Sequence, residues 1–265
     1  MSGHDTLKAM PTIIAVSNQK GGSAKTNVTG NLAAEFAALG RAVVLVDLDP
    51  QATLTRWALG TYEGAGTAEV LLGEGALDEL LVDAPEFGAK LLPASPRTMR
   101  AAERSLMAEF GAERGLAETL GNVAADLVLL DCPPSMGVLT ASAIVAAQAG
   151  VLVPIASSAE ALDGLIQLQD TLRRLRSGLR LPLPLLGVVL TRYDERTLIA
   201  REVAEAVRSL AEGAVFEATI REAVVLRELF GHQKPVRSYA PSSRSADDYC
   251  KLAQEILSHV ALEAA

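Results

Sequence analysis

The stretch NQKGGSAKTN, residues 18–27, nearly matches a phosphate-binding loop. The common pattern for such a loop is G-x-x-x-x-G-K-S/T. Lys25 and Thr26 fill its last two places, but Gln19 stands where the first glycine belongs and Ala24 where the second does. A further lysine, Lys20, stands ahead of the pair Gly21–Gly22. Taken alone, the stretch is either a surface turn or a phosphate loop of another design.

Its neighbours have the order such a loop needs. PTIIAVSN (11–18) is short, apolar and β-branched, which predicts a buried strand. TNVTGNLAAEFAALG (26–40) places Val28, Leu32, Phe36 and Leu39 at helical spacing and stops at Gly40. RAVVLVDLDP (41–50) reads as a second buried strand, stopped by Pro50. DLVLLDCPP (126–134), GVLVPIA (150–156) and PLLGVVLT (184–191) read as further strands, and helical patterns separate most of them. Residues 51–125 are less regular, chiefly helices around a short strand in KLLPAS. Continuous apolar strands alternating with helices imply an α/β fold, a doubly wound, mostly parallel sheet with helices on both faces. There is no repeat, low-complexity tract or Gly/Pro/Ser-rich linker, so residues 1–265 read as one domain.

In an open α/β sheet, ligands bind beyond the carboxyl ends of the strands. Three polar clusters are expected there. Gly21 and Gly22 let the backbone curl so that successive N–H groups point at phosphate oxygens. The following helix adds its positive end. Lys25 would reach the outer phosphates, and the Thr26 hydroxyl would ligate Mg²⁺. The second cluster is Asp47 and Asp49 in VDLDPQ; the third is Asp131, at the end of the apolar run LVLLD. An aspartate after an apolar strand is by itself often a turn or helix cap. The three clusters in this order point to a nucleoside-triphosphate site.

Composition is compatible with this. Hydrophobic residues make up 49% of the 265, but aromatics only 4%, so the core must be built from Ala, Val, Leu and Ile. Cys132 and Cys250 are far apart and form no C-x-x-C pair, which argues against a metal site or disulfide framework and fits a reducing compartment. Residues 1–10 lack a long apolar segment, and no apolar run reaches the ~18 residues of a membrane span. The expectation is a soluble, cytoplasmic protein. Net charge is −8, yet residues 171–245 carry 13 Lys/Arg against 8 Asp/Glu. That excess is either a local basic patch or ordinary solvated helix faces.

QKGGSAKT, LVDLDPQ and LLDCPPS together resemble the ParA/Soj family of deviant Walker-type partition ATPases, whose loop is K-G-G-x-G-K-S/T. LTASAIVAAQAGVLVP, GVVLTRYDERT and PVRSYAPSSRSADDYCKLAQEI also look like family segments, so the resemblance covers nearly the whole chain. It implies ATP and Mg²⁺ as cofactors, with Lys20, Gly21, Gly22, Ser23, Ala24, Lys25, Thr26 and Asn27 around the nucleotide. Lys20 would be the lysine that crosses to the partner's nucleotide in an ATP-bound homodimer. Lys25 would act on phosphates within its own chain, and Asp49 would position the attacking water. Thr26, Asp47 and Asp131 would lie at the magnesium. The family further implies non-specific DNA binding, nucleoid association and stimulation by a ParB-like centromere-binding protein. The family's loop design also accounts for the displaced lysine.

Three departures from the family pattern stand out. Ala24 replaces a glycine; if that place requires φ > 0, alanine costs about 1–2 kcal/mol, and otherwise the change is silent. Asn27 replaces a hydroxyl residue, which would alter one phosphate contact. The family's I-P-R-N-V-R-L-S-E-A-P reads here as IREAVVLRELF (220–230), with Val225 where a DNA-contacting arginine would stand. Arg221 and Arg227 are the candidate substitutes, and Arg196 matches another DNA-contact arginine. A MinD-like membrane-surface ATPase would need a basic amphipathic C-terminal helix. LAQEILSHVALEAA is apolar and acidic, better suited to packing, so no membrane partner is expected. A cluster-carrying reductase would need paired cysteines, and a synthetase would have no need of Lys20. With residues 1–10 alone ahead of the first strand, no helix-turn-helix and no site-specific operator binding are expected.

Overall fold

The computed structural model describes residues 10–158, 161–211 and 214–263. Its sheet has nine strands: β1 (Thr12–Val16), β2 (Val43–Asp47), β3 (Val82–Ala84), β4 (Ala89–Leu92), β5 (Leu127–Asp131), β6 (Gly150–Ala156), β7 (Leu185–Tyr193), β8 (Ala214–Val215) and β9 (Ile220–Arg221). The order is β3-β4-β2-β5-β1-β6-β7-β8, with β9 also pairing with β7. Every pairing is parallel except β3–β4.

Side chains alternate across a strand, so each central strand feeds two cores. Ile13, Ala15, Val44, Val46, Val128 and Leu130 face one core, covered by the helices Gly115–Leu120, Val138–Ala146, Ala161–Leu179 and Leu198–Leu210. Ile14, Val16, Val43, Leu45, Leu127 and Leu129 face the other, covered by Lys25–Ala38, Thr53–Leu59 and Arg244–Glu263. These two cores make the sheet doubly wound and explain why the strands read as unbroken apolar runs.

The central strands fall within three residues of their predicted ends, and β6 matches at both. The first helix runs Lys25–Ala38, and the chain leaves it through Gly40 at φ 79. Val28, Leu32 and Phe36 are fully buried as expected, but Leu39 is 41% exposed. It is the C-cap residue, past the last turn that lies over the sheet. Strands β3, β8 and β9 carry no apolar run long enough to be read. They are strands only through their pairing with β4 and β7. Residues 51–125 hold five α-helices, the longest Pro96–Met107, around the predicted strand β4.

Trp57 locks the helix after β2 in place. Its indole N–H donates to the carbonyls of Leu229 and Lys234, and its ring meets Phe87 edge-on at 4.9 Å and Phe230 at 4.6 Å. Gly30 provides the room, since a β-carbon there would come within 2.3 Å of the Trp57 ring. The C-terminal helix Arg244–Glu263 buries Tyr249, Leu252, Ala253 and Ile256. It packs on the sheet, the role the sequence suggested. Among the described residues no helix is long and apolar enough to cross a membrane.

Candidate nucleotide site

Parallel pairing brings three strand ends together. Val16 of β1 is in register with Asp131 of β5, and Asp131 with Asp47 of β2. The glycine loop leaves β1 at this edge. Gly22 has φ 77, and Ala24 has φ 68 and ψ 22, so the place that the family fills with glycine is left-handed here. The following helix has no side-chain cap. The N–H of Val28 donates to the Ala24 carbonyl, whereas those of Lys25, Thr26 and Asn27 precede the first intrahelical bond. Uncapped N–H groups at a helix start form an anion site.

Long-range ties hold this loop. Asn18 donates through Nδ2 to the Pro154 carbonyl at 2.7 Å and accepts the Lys20 N–H at 3.0 Å. The Thr191 hydroxyl donates to the Ser23 carbonyl at 3.4 Å. Asn18 is not among the residues the motifs single out; its signal in the sequence is an amide side chain directly between a buried strand and a glycine loop.

The carboxylates differ in their surroundings. Asp47 is wholly buried. It accepts the Asp49 N–H at 3.1 Å on one oxygen, and the Thr55 N–H and hydroxyl at 2.8 and 2.7 Å on the other. The Thr55 hydroxyl in turn accepts the Ala94 N–H at 2.8 Å. Burial pushes Asp47 up to about 6, against the pull of these hydrogen bonds. Asp131 is also wholly buried, and burial reinforced by Asp47 raises it well above the usual carboxylate range. The Thr26 hydroxyl is its hydrogen-bonding neighbour, and the Thr29 hydroxyl lies 3.4 Å from Oδ1. Among the described residues its Oδ2 has no hydrogen-bond partner. Burial draws the Lys25 ammonium below its ordinary pKa, with Asp131 opposing that shift. Asp49 accepts the Gln51 N–H at 2.8 Å and faces the cleft.

That cleft, about 350 Å³, lies between residues 21–27 with Asp49 on one side and Arg192, Leu226, Arg227 and Phe230 on the other. Lys20 borders a second hollow of about 180 Å³, with Asn18, Ser157, Ser158 and Arg192. Among the described residues no group of three or more His, Cys, Asp or Glu side chains converges as a metal cage. Mg²⁺ does not need one, because it binds through one or two carboxylates, water and substrate phosphates. The Asp131 carboxylate, a neighbour of the Thr26 hydroxyl and with its buried Oδ2 unpartnered among the described residues, fits that donor set. Both oxygens of Asp47 accept hydrogen bonds from Asp49 and Thr55, which brace the chain after β2 beside Asp131.

The Asn27 side chain borders the cleft, where it accepts the Tyr249 hydroxyl at 2.6 Å and donates to the Leu226 carbonyl at 3.2 Å. Arg196 is 86% exposed in its side chain and paired with Asp194 at 2.8 Å. Arg221 is paired with the buried Asp248, and Arg227 with Glu222 beside the nucleotide cleft. Arg196 and Arg221 border a groove shared with Arg244 and Lys251, but also with Asp194, Glu195 and Glu217. Across residues 171–245, Arg173, Arg221, Lys234 and Arg237 pair with Asp170, Asp248, Glu86 and Glu35 outside the stretch, so much of its basic excess is met by carboxylates. Val225 packs against the core around Trp57, a contact that an arginine would not make.

Known proteins resemble this chain along most of its length. A family profile described as an AAA domain matches residues 11–183. The chromosome-partitioning ATPase Soj of Thermus thermophilus is 41% identical over 254 residues, 96% of this chain and 98% of its own. The chromosome partitioning protein ParA of Myxococcus xanthus is 37% identical, over 92% of this chain and 87% of its own. Among solved structures, a cobyrinic acid a,c-diamide synthase from Mycobacterium smegmatis with bound ADP and magnesium superposes with a TM-score of 0.81. It is 33% identical, and the match covers 94% of this chain and 95% of that one. With identity at this level along almost its full length, and with the loop and carboxylates placed as described, the chain belongs to the Soj/ParA family of chromosome-partitioning ATPases.

Proposed function

We propose that this protein binds and hydrolyses ATP with Mg²⁺, and that the ATP-bound chain pairs with a second copy, binds DNA without sequence preference and is released when a ParB-like partner stimulates hydrolysis. The observation that carries the reading is the uncapped, left-handed loop and helix start with Lys25 and Asp131 beside it. The N–H groups of residues 21–27 would cradle the phosphates, and Lys25 would neutralise their charge. Thr26 and Asp131 would hold Mg²⁺, which when bound offsets negative charge on the phosphates. Asp49, at the cleft, would orient the attacking water. Positioning and charge neutralisation of this kind are most of what phosphoryl transfer requires.

Lys20 borders a different hollow from the main cleft, which supports a role toward a partner's nucleotide. For DNA, Arg196 is the most exposed of the three arginines, and its pairing with Asp194 is a solvent-exposed one that phosphate can displace. Phosphate contacts of this kind make binding salt-dependent and indifferent to sequence. The likeness to a protein named as an amide synthase favours one second reading, in which ATP activates a carboxylate for amide formation.

ATP turnover measured with and without duplex DNA, and without any amide acceptor, tests the proposal. Turnover that requires an acceptor would favour the synthase reading. Asp49→Ala should retain ATP binding and lose hydrolysis in a single-turnover assay. Lys20→Ala should bind ATP but remain a monomer in size-exclusion chromatography with a non-hydrolysable analogue. A stable Lys20→Ala dimer would return Lys20 to an ordinary loop lysine.

A further inference from the structure

A buried polar cluster lies where the phosphate loop becomes a helix. Asn27 Oδ1 accepts from the Tyr249 hydroxyl at 2.6 Å and from Asn31 Nδ2 at 3.0 Å, and its Nδ2 donates to the Leu226 carbonyl at 3.2 Å. Asn31 Nδ2 also donates to the Asn27 carbonyl at 2.8 Å, and Asn31 Oδ1 accepts the Val236 N–H at 2.7 Å. Asn31 and Tyr249 are buried, and Asn27 nearly so. Such a network persists in a core only when its members are satisfied, and it then fixes one geometry. The network joins the first two turns of the loop helix to segments about 200 residues away in the chain.

The loop needs outside support. Its helix start has no side-chain cap, and Ala24 holds a conformation that an L-residue adopts reluctantly. Asn18 and Thr191 fasten its first half to the sheet. The second half is fastened by Asn27, whose backbone N–H is the last one ahead of the first intrahelical bond. Asn27, Leu226 and Tyr249 all border the cleft. Asp248, the neighbour of Tyr249 on the same helix, grips Arg221, which borders both the cleft and the outer groove.

We infer that Tyr249 is a positioning residue for the nucleotide site, acting through Asn27, so that the C-terminal helix sets how tightly the phosphate loop holds its ligand. The inference rests on the reading of the cleft as an ATP site. It goes beyond that reading in assigning part of the affinity to a side chain far from the phosphates in sequence and on a different element.

The test is titration of a fluorescent ATP analogue with Mg²⁺ into four full-length proteins: wild type, Tyr249→Phe, Asn27→Thr and the double variant. Tyr249→Phe removes one hydroxyl and keeps the ring, and should weaken binding about 2- to 10-fold, the range of one hydrogen bond. The KM for ATP should rise by a similar factor, with a smaller change in kcat. Asn27→Thr is too short to meet the hydroxyl, so in that background Tyr249→Phe should cause no further loss. Melting temperatures measured alongside separate positioning from packing. Unchanged affinity in Tyr249→Phe with a lowered melting temperature would overturn the inference, as would an equal loss of affinity in both backgrounds. A wild-type protein that binds no ATP would overturn the proposed function itself, and this inference with it.

Discussion

Ala24→Gly tests the most unusual feature of the phosphate loop. Residue 24 sits at φ 68 and ψ 22, where the β-carbon of an L-residue crowds the backbone. The cost of alanine there is about 1–2 kcal/mol. Glycine removes it, but also loosens the unfolded chain, which takes back about 0.4–1 kcal/mol. The folded protein should therefore gain roughly 0.5–1 kcal/mol. For a chain of this size, 1 kcal/mol moves the melting temperature about 2–4 °C, so the expected rise is about 1–4 °C. Strain relieved in the ligand-bound loop beyond that relieved in the free loop would appear as affinity, up to about tenfold for ~1.4 kcal/mol. Thermal unfolding with and without MgATP, together with a nucleotide titration, reads both shares. A variant that melts at or below the wild-type temperature in both conditions, with unchanged affinity, would refute the strain argument.

Thr55→Val should destabilise by about 2–3 kcal/mol. It removes the hydroxyl that Asp47 accepts and leaves the Ala94 N–H without its partner, and urea unfolding would show the loss. Gly30→Ala would gain about 1 kcal/mol in an open helix, but here the new β-carbon meets Trp57 at 2.3 Å. Overpacking should win, with a net loss of about 1–2 kcal/mol and a change in tryptophan fluorescence. Asp47 carries its proton more readily in the fold than in the unfolded chain, with a folded pKa of about 6. Its contribution to stability is therefore complete below about pH 4 and is lost as pH rises through about 6. Asp47→Asn mimics the protonated form, so the melting temperature by which wild type exceeds this variant should shrink from pH 4.5 to 7 in nucleotide-free buffer. A constant difference would contradict the raised pKa.

The sequence was enough for the strand–loop–helix unit, the doubly wound sheet and the placing of Asp47, Asp131 and Lys25 at one edge. Each follows from local patterns. An unbroken apolar run marks a strand buried on both faces, parallel strands end on one side, and a polar residue closing such a run must lie on that edge. The conformation at Ala24 was legible as an alternative, because the sequence shows a non-glycine residue in a glycine place but not its φ. The directions and partners of side chains were not legible. Position places Asn27 at the loop, but only the fold shows that Tyr249 and Leu226, about 200 residues away, hold its amide. Position places Asp47 at the strand end, but only the fold shows that Thr55 and Asp49 donate to both its oxygens. Arg221 and Arg227 are visible as basic residues, but only the fold shows Asp248 and Glu222 as their partners. Periodicity specifies which edge or face a residue occupies; which groups meet it there depends on how distant segments pair, and only the tertiary structure decides that.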